Sequence, residues 1–488
     1  MKKLAVAVLA LLCVFAVSGN LATPAHADGS ATPRLHREGR SLVDQYGRQV
    51  IVHGFNFVWK SAPYAPPDTP NGFTAADAQW LYDHGFNGAR LGILWAGVNP
   101  TAPGVADGTY FAKWQRVIDL MAGKGIWMQF DMHQDQWNEV YGGEGVPAWA
   151  VKRPLPWSLL PYPKQIPFPE GYWTPEVSTV FDNFWANKNG LLDSWVTFWK
   201  QVAARYKDQP YSMGYDLINE PWAGTEWTGC ILIAGCPSTY AHELQPAQNK
   251  ALAGIRTVDP NNIVWYEAQQ LAAGLPIPTH LTSVAGENNL GLSWHNYCSA
   301  TFAASLGIPL DLTESCKSFT RNRENNALKQ ADAMNAVPLM SEWGATDNDR
   351  AIQIDADSAD SNNMSWLYWA YKYWNDPTTA DTDQGVFVDD ADISHPKPKL
   401  DQLVRTYPQA TAGRNLSYAY NTATGLFTMS FTSDPAISAP THIFVSPLTA
   451  PHGYTVTTSA GTVTKNGSYV DLSGTGSGTV NVTITPLP

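Results

Sequence analysis

The sequence lacks any apolar stretch of the roughly 20 residues that a membrane-spanning helix needs, so we expect no transmembrane segment. It is also poor in basic residues, with 31 lysines and arginines against 43 aspartates and glutamates, and its formal net charge is −12. Because such a surface repels nucleic acid, we expect no nucleic-acid partner, whereas a neutral sugar or a lipid headgroup is compatible with it. Internal repeats and long linkers are lacking as well.

Cysteine is scarce, with five residues in the chain, and no CxxC motif occurs. No histidine pair with zinc-like spacing lies beside the cysteines, so we expect neither a metal site nor a cofactor. Cys13 belongs to the apolar amino-terminal run, and the other four cysteines allow three pairings. Their short separations favour Cys230–Cys236 and Cys298–Cys316, both of which suit loops in an oxidising compartment.

The amino terminus has the pattern of a secretory signal peptide. Two lysines precede an apolar run over residues 4–17, and Ala25-His26-Ala27 follows as a small-residue cleavage site. The alternative is a membrane anchor, but the run is shorter than a spanning helix. We therefore expect residues 1–27 to be a signal peptide and the protein to be secreted.

Residues 42–407 alternate short apolar segments with amphipathic ones. This alternation, repeated about eight times, is typical of a closed parallel barrel, so we expect a (β/α)₈ TIM barrel in residues 28–408. The expected strands are Val50–Phe57, Gly88–Trp95, Gly125–His133, Ser212–Asn219, Ile263–Ala268, Leu292–Tyr297, Val337–Trp343 and Ser365–Tyr371. The expected helices include Thr74–His84, Tyr110–Ala122 and Leu191–Tyr206.

From residue 409 onward the helical periodicity disappears. Short alternating stretches are separated by glycine, serine, asparagine and proline, which predicts a C-terminal antiparallel β-sandwich in residues 409–488. The expected strands include Leu426–Phe431, Thr441–Val445, Tyr454–Thr458 and Val480–Ile484.

An insertion rich in proline and aromatic residues spans Tyr141–Phe184. It follows the third expected strand, so it should lie on the face where a TIM barrel carries its site. The insertion is too apolar for a solvated loop, and we expect it either to pack as a lid or to line a substrate groove.

Two apolar strands each end in a glutamate, Glu220 in the sequence DLINEP and Glu342 in PLMSEWG. Catalytic groups of a TIM barrel lie at such strand ends, although a lone acid there could simply cap the next helix. Retaining glycosidases need two carboxyls roughly 5–5.5 Å apart, one as nucleophile and one as acid/base. The chain also has 20 tryptophans and 21 tyrosines, which can stack on sugars or fill a large core.

The Asn219-Glu220-Pro221 motif with the later Glu342 resembles glycoside hydrolase family 5, a TIM-barrel family whose catalytic glutamates follow strands four and seven. Asp131-Met132-His133-Gln134-Asp135, together with Lys60, is similar to the endoglycoceramidase subfamily, which cleaves the bond between an oligosaccharide and ceramide. Other matching residues are Arg90 in the second strand, His295 and Tyr297 in the sixth, and Trp369 in the eighth.

The resemblance implies a role for each residue. Glu342 is the expected nucleophile, held by Tyr297 and by the charge of Arg90. Glu220 is the expected acid and then base. Asn219 is expected to contact the sugar 2-hydroxyl, and His295 to orient Glu220 or the leaving group. The residues expected to bind the first sugar are Lys60, His133, Asp135 and Trp173, with Trp369 as the floor of the pocket.

The implied substrate is a glycosphingolipid in micelles or membranes, and we expect the protein to be a monomer. In place of the proline that related enzymes often have, Cys298 follows Tyr297, so specificity for glucosylceramide-based or galactosylceramide-based cores stays open. A family-5 polysaccharide endo-hydrolase, a β-glucanase or a mannanase, would share both glutamates and is the alternative function. A catalytically inactive carbohydrate-binding protein is a third reading, disfavoured because both glutamates are present.

Overall fold

A computed structural model of the chain describes residues 32–151, 168–298, 312–378 and 382–488. The expected signal peptide, residues 1–27, lies outside these ranges. So do residues 152–167 of the insertion, which include Pro154, Pro156, Trp157, Pro161, Pro163 and Pro167. None of the helices in these four ranges combines the length and the apolar character that a bilayer-spanning segment requires.

The described chain begins with three short antiparallel strands, followed by eight parallel strands that close into a barrel. The first three are β1 (His36–Glu38), β2 (Ser41–Val43) and β3 (Gln49–Val50). The barrel strands are β4 (His53–Phe57), β5 (Gly88–Gly92), β6 (Trp127–Asp131), β7 (Ser212–Asp216), β8 (Val264–Glu267), β9 (Leu290–Asn296), β10 (Ala336–Trp343) and β11 (Ser365–Tyr368).

Strand order in the barrel follows the chain, and β11 closes it by pairing with β4. Every residue of these eight strands is buried, as expected for parallel strands covered by helices on one side and by the barrel interior on the other. Each expected strand overlaps one of them, so the predicted TIM barrel is confirmed.

The connecting helices form where apolar residues recur every three or four positions. In Gly108–Ala122, for example, the Asp107 side chain accepts hydrogen bonds from two backbone N–H groups of the first turn, and a buried face follows. The other α-helices of the described ranges are Ala75–Asp83, Trp95–Val98, Pro175–Trp185, Leu191–Tyr206, Trp227–Cys230, Pro237–Thr239, Gln245–Arg256, Leu271–Gly274, Cys316–Met334, Asp349–Ser361 and Leu400–Leu403, and a π-helical turn spans Tyr240–Leu244.

The final part of the proline-rich insertion folds as the helix Pro175–Trp185, which the sequence analysis did not anticipate. Its start is marked by Thr174, whose hydroxyl accepts the Val177 N–H at 3.3 Å, and by proline at the first helical position. The high proline content of the preceding residues obscured this local signal.

The carboxyl-terminal strands form two antiparallel sheets with alternating buried and exposed residues, which confirms the predicted β-sandwich. The strands are β12 (Tyr407–Thr411), β13 (Gly413–Tyr420), β14 (Phe427–Ser433), β15 (Thr441–Phe444), β16 (Tyr454–Thr458), β17 (Thr462–Asn466), β18 (Tyr469–Ser473) and β19 (Gly478–Pro486). One sheet has the order β1-β2-β3-β12-β15-β18-β17, and the other β13-β14-β19-β16. The strands at the beginning of the described chain thus complete a sheet of the sandwich.

Barrel and sandwich meet at a buried ion network. Arg405, which precedes β12, donates from Nε to Asp360 Oδ2 at 2.7 Å and also pairs with Asp357. Asp360 Oδ1 lies 3.2 Å from His53 Nε2, and the His53 ring stacks on Tyr407 at 3.8 Å. The network joins the first barrel strand, the helix Asp349–Ser361 and the start of the sandwich.

We expect Arg405→Leu to lower the free energy of unfolding by about 3 kcal/mol, because Asp360 would stay buried without its cation. Urea denaturation measures the change. Arg350→Leu is the control, since Arg350 pairs with Glu314 on the surface and should cost no more than about 1 kcal/mol. Equal losses in the two variants would contradict a central role for the buried network.

Candidate active site

Glu220 and Glu342 lie at the carboxyl-terminal ends of β7 and β10. Asn219 N–H donates to Met132 O at 3.0 Å, which continues the strand pairing past the end of β7. Glu220 then takes a left-handed conformation with φ of +42°, and its N–H donates to Glu267 Oε1 at 2.9 Å. In β10 the register with β9 shifts between Met340 and Glu342, an irregularity that re-aims the Glu342 side chain.

The two carboxylates face each other across His295. One oxygen of each glutamate and one ring nitrogen of His295 all lie within 4.8 Å of one another. His295 Nδ1 is 2.9 Å from Glu220 Oε1 and 3.5 Å from Glu342 Oε2. This close approach suits a retaining pair, at roughly 5–5.5 Å, and not an inverting pair, whose carboxyls stand roughly 6.5–9.5 Å apart.

Glu342 is held by a cation and a phenol. Arg90 Nη1 donates to Glu342 Oε1 at 2.5 Å, and Tyr297 OH donates to Oε2 at 2.8 Å. Both contacts are hydrogen bonds donated to carboxyl oxygens, one of them from a charged group. They fix the direction in which the Glu342 side chain points.

Glu220 lies in surroundings that favour its protonated form. Burial and the nearby charge of Asp135 raise the pKa of Glu220 to about 8, so its carboxyl is protonated at neutral pH. Burial also lowers the pKa of His295 to about 3, which leaves the imidazole neutral. The site thus places a protonated Glu220 near Glu342, whose carboxyl oxygens accept hydrogen bonds from Arg90 and Tyr297.

A second buried cluster, which we call the Lys60 cluster, joins the ends of β4, β6 and β11. Lys60 Nζ donates to Asp135 Oδ2 at 2.6 Å and to Thr378 Oγ1 at 2.7 Å, and lies 3.1 Å from Asp376 Oδ2. The same ammonium group stands 4.6 Å from the centre of the Trp369 ring. Lys60 and Asp135 therefore form a buried ion pair that an aromatic ring covers.

His133 belongs to the same cluster. Its ring stacks on Trp369 with centroids 5.3 Å apart, and its Nδ1 lies 2.8 Å from Asp131 Oδ2. Bonds to Asp131 and Asp135 raise the pKa of His133 to about 9 against the effect of burial, so the ring carries a proton at neutral pH. The structure thus brings together four of the five residues expected around the first sugar: Lys60, His133, Asp135 and Trp369.

Trp173, the fifth, lies at the rim. Its ring stacks on Trp227 at 6.4 Å, which stacks in turn on the buried Trp222 at 5.7 Å, and 44% of Trp173 is exposed. Its expected role in sugar binding stays a prediction.

Several polar residues of the site were not anticipated. Glu267 ends β8 and contacts both the Glu220 backbone and His295 Nε2, at 2.9 and 3.3 Å. An acid closing an apolar strand was the signal used for Glu220, and it applied to Glu267 as well. Asp376 and Thr378 follow β11 without such a pattern.

Three sets of side chains within the described ranges have the proximity that a metal ion needs. The first, His133, Asp135 and Glu144, already faces Lys60 Nζ, 2.6 Å from Asp135 and 3.8 Å from Glu144, so a cation of the protein stands there. The second is the catalytic pair with His295, and the third is the surface set of Glu226, His242 and Glu243.

Both favoured cysteine pairings are present as disulfides, Cys230–Cys236 and Cys298–Cys316. The first closes a seven-residue loop in the connection after β7. The second ties the residue after Tyr297 to the start of the helix Cys316–Met334. The second disulfide therefore braces the chain next to Tyr297, whose hydroxyl contacts Glu342.

Comparison with known proteins finds relatives over most of the chain. The profile of cellulase (glycosyl hydrolase family 5) matches residues 43–375, and that of the glycoside hydrolase family 5 C-terminal domain matches residues 405–485. Endoglycoceramidase I of Rhodococcus hoagii (strain 103S) is 32% identical, over 93% of this chain and 89% of that protein. The endoglycoceramidase of Cyanea nozakii is 30% identical, over 89% and 88%.

Solved structures that resemble this chain include those of an endo-glycoceramidase. Endo-glycoceramidase II from Rhodococcus sp., in complex with a five-membered iminocyclitol, superimposes with a TM-score of 0.76 at 26% identity, covering 92% of this chain and 100% of that one. Another structure of that enzyme is its lactosyl-enzyme intermediate, with a TM-score of 0.74 at 25% identity. A covalent sugar–enzyme species is the mark of a retaining mechanism.

We expect Arg90→Leu to abolish turnover and to lower the free energy of unfolding at pH 7 by about 3 kcal/mol. Four carboxyl groups would lose their buried cation, those of Asp131, Asp216, Glu267 and Glu342. The loss should shrink as the pH falls. The pKa of Asp216 is already raised to about 7, mainly by burial, so the folded state binds protons that the unfolded state releases above its ordinary pKa of about 4. The contribution of Asp216 to stability therefore increases as the pH falls from 7 to 5, and it increases more steeply without Arg90.

Urea unfolding at several pH values measures how steeply the free energy of unfolding changes with pH. The control is Arg323→Leu, which removes a buried arginine whose guanidinium donates to the His295 carbonyl at 2.9 Å. Its unfolding free energy should follow the wild-type pH dependence. A slope for Arg90→Leu no steeper than that of the control would contradict the charge argument.

Proposed function

The chain belongs to glycoside hydrolase family 5, and we propose on that basis that it is an endoglycoceramidase, which hydrolyses the β-glycosidic bond between oligosaccharide and ceramide with retention. The observation that carries the proposal is the approach of Glu220 and Glu342 to within 4.8 Å of each other beside His295, at the ends of two barrel strands. The endoglycoceramidase relatives, which match this chain over nearly its whole length, supply the substrate class.

In the first step Glu342 attacks the anomeric carbon and forms a glycosyl ester. The bond from that carbon to the ceramide oxygen breaks, and the oxygen takes the proton of Glu220 as it leaves. Arg90 and Tyr297 hold the attacking carboxylate, which limits the motion needed to reach the transition state.

In the second step Glu220, now a carboxylate, takes a proton from water, and the water oxygen attacks the same carbon. The ester bond to Glu342 breaks, and the sugar leaves with its original anomeric configuration. Asn219 is the proposed partner of the sugar 2-hydroxyl. Its amide is already oriented, since Oδ1 accepts from Arg90 at 3.1 Å and Nδ2 donates to Gln134 O at 3.1 Å.

The proposed first-sugar site is the Lys60 cluster. Lys60, His133 and Asp135 offer charged hydrogen-bonding groups beside the Trp369 ring, and Trp173 would stack on a sugar from the rim. A buried ion pair next to an aromatic floor suits a hydroxyl-rich, uncharged ligand. His295 is proposed to orient Glu220 through its 2.9 Å contact.

We also propose that the protein is secreted after removal of residues 1–27 and acts as a monomer on lipid presented in micelles or membranes. The two disulfides support an oxidising compartment.

Hydrolysis of lactosylceramide in detergent micelles should release intact lactose and ceramide, whereas a soluble β-glucan and a β-mannan should be poor substrates. Mass spectrometry of the products identifies the cleaved bond. Cleavage of the glucan or mannan without release of ceramide would contradict the proposal and favour a polysaccharide endo-hydrolase, which shares the same glutamate pair.

The two roles can be assigned by chemical rescue. Glu342→Ala and Glu220→Ala should each lose at least about 10³-fold in rate on lactosylceramide. With a dinitrophenyl lactoside and azide, Glu342→Ala should give the α-lactosyl azide by one inversion. Glu220→Ala should give the β-azide, because azide then opens the glycosyl ester. Glu139→Ala, at an exposed acid paired with Tyr64, is the control and should keep wild-type activity. The same azide anomer from both site variants would refute the assignment.

Because Glu220 must be protonated for the first step, kcat/KM for lactosylceramide should fall tenfold per pH unit above about pH 8, the pKa to which burial raises this carboxyl. A dinitrophenyl lactoside, whose leaving group needs no proton, should show no such decline at that pH. A pH–rate profile for both substrates tests this. A decline for both substrates alike would assign the basic limb to another group.

A further inference from the structure

A disulfide-closed loop next to the site presents three consecutive aliphatic side chains to solvent. Ile231, Leu232 and Ile233 are 46%, 61% and 96% exposed, and Ile233 is the most exposed large apolar side chain among the described residues. We call residues 230–236 the apolar loop. Single exposed apolar residues are common on protein surfaces, but three in a row on one short loop form a concentrated patch.

The apolar loop is held outward by covalent and polar restraints. The Cys230–Cys236 disulfide closes it, and the Gly235 N–H donates to Leu232 O at 2.8 Å. His280 Nε2 lies 2.7 Å from Ala234 O. Gly235 has φ of +63°, and a Cβ there would stand 2.6 Å from Pro278 O, so the loop packs against its neighbour with no spare room. The loop therefore has little freedom to fold back and bury its aliphatic side chains.

The loop belongs to the same connection as the proposed acid. Glu220 ends the extension of β7, and the chain passes through the buried Trp222 and the helix Trp227–Cys230 into the loop. His280, which holds the loop tip, comes from the connection after β8, the next strand of the barrel. The loop thus rises from the barrel face that carries Glu220, the residue that gives its proton to the leaving ceramide.

The absence of charged side chains on the apolar loop indicates which kind of lipid surface it suits. Residues 227–238 contain no charged side chain, although the chain has a net charge of −12. Anionic lipid attracts clusters of lysine and arginine, which this segment lacks. An uncharged aliphatic tip on an acidic protein suits zwitterionic lipid, where burial of apolar side chains drives binding.

We infer that the apolar loop inserts into the zwitterionic lipid surface that carries the substrate and holds the Glu220 face of the barrel against it. The inference rests on the proposed function, because a ceramide-linked substrate is anchored in such a surface. Removing two of the aliphatic side chains should weaken binding to lipid by about tenfold or more.

The test compares the full chain with Leu232→Ser/Ile233→Ser, which changes only exposed side chains and keeps the disulfide. The matched control is Leu426→Ser/Leu448→Ser, which changes two exposed leucines of the sandwich. Binding is measured by cosedimentation with phosphatidylcholine vesicles that contain no glycolipid. Hydrolysis is measured on lactosylceramide in the same vesicles and on a soluble aryl lactoside.

The loop variant should bind the vesicles about tenfold or more weakly and lose a similar factor in hydrolysis of vesicle lactosylceramide, with an unchanged rate on the aryl lactoside. The control should match wild type in all three measurements, and vesicles of phosphatidylglycerol should bind wild type no better than phosphatidylcholine.

Equal vesicle binding by wild type and the loop variant, or no binding by either, would overturn the inference. A dimer of wild type that the loop variant loses, with vesicle binding unchanged, would assign the loop to a second copy of the chain and overturn it too. Failure of the proposed function would give a different experimental result. In that case wild type would bind vesicles through the loop yet release no ceramide from lactosylceramide in micelles.

Discussion

Arg90 places a guanidinium group against four buried carboxylates, those of Asp131, Asp216, Glu267 and Glu342. One cation does not neutralise four anions, so burial pushes protons onto some of them, and the pKa values of Asp216 and Glu267 are raised. Glu342 makes the shortest of the four contacts, at 2.5 Å, and its other oxygen accepts from Tyr297. The barrel interior therefore places its positive charge closest to Glu342, the residue proposed to attack the sugar.

The distribution of buried charge also explains why Glu220 and Glu342 lie in different electrostatic surroundings. Arg90 donates to Glu342, whereas His295, which lies beside Glu220, is neutral because burial lowers its pKa. Lys60 keeps Asp135 ionised against the effect of burial, and the charge of Asp135 in turn raises the pKa of Glu220. The cluster proposed to bind the first sugar thus also influences the pKa of Glu220, although burial is the main cause of its rise. A ligand that alters the Lys60–Asp135 pair would alter the acid strength of Glu220.

Much of this was readable in the sequence, because parallel barrel strands are continuous apolar runs and the polar residues that close them stand out. Glu220 and Glu342 were found in this way, and family resemblance added Lys60 and His133. Glu267, which ends the apolar strand β8, carries the same signal. Asp376 lies in a connection, where no periodicity marks a residue. The pairing of β3 with β12 joins Ala410 to Val50, and contacts between such distant residues leave no local pattern.

That pairing has a consequence for how the chain is made. The barrel strands end at Tyr368, so a growing chain can close the barrel soon after this residue leaves the ribosome. β1, β2 and β3 have no partner sheet until β12 appears, about 40 residues later, and β15 and β18 follow still later. During that interval the edge of β3 is open to other chains. The barrel and the carboxyl-terminal sandwich are consequently not independent folding units. A carboxyl-terminal truncation at the family-domain boundary would leave a strand edge exposed on the barrel that remained.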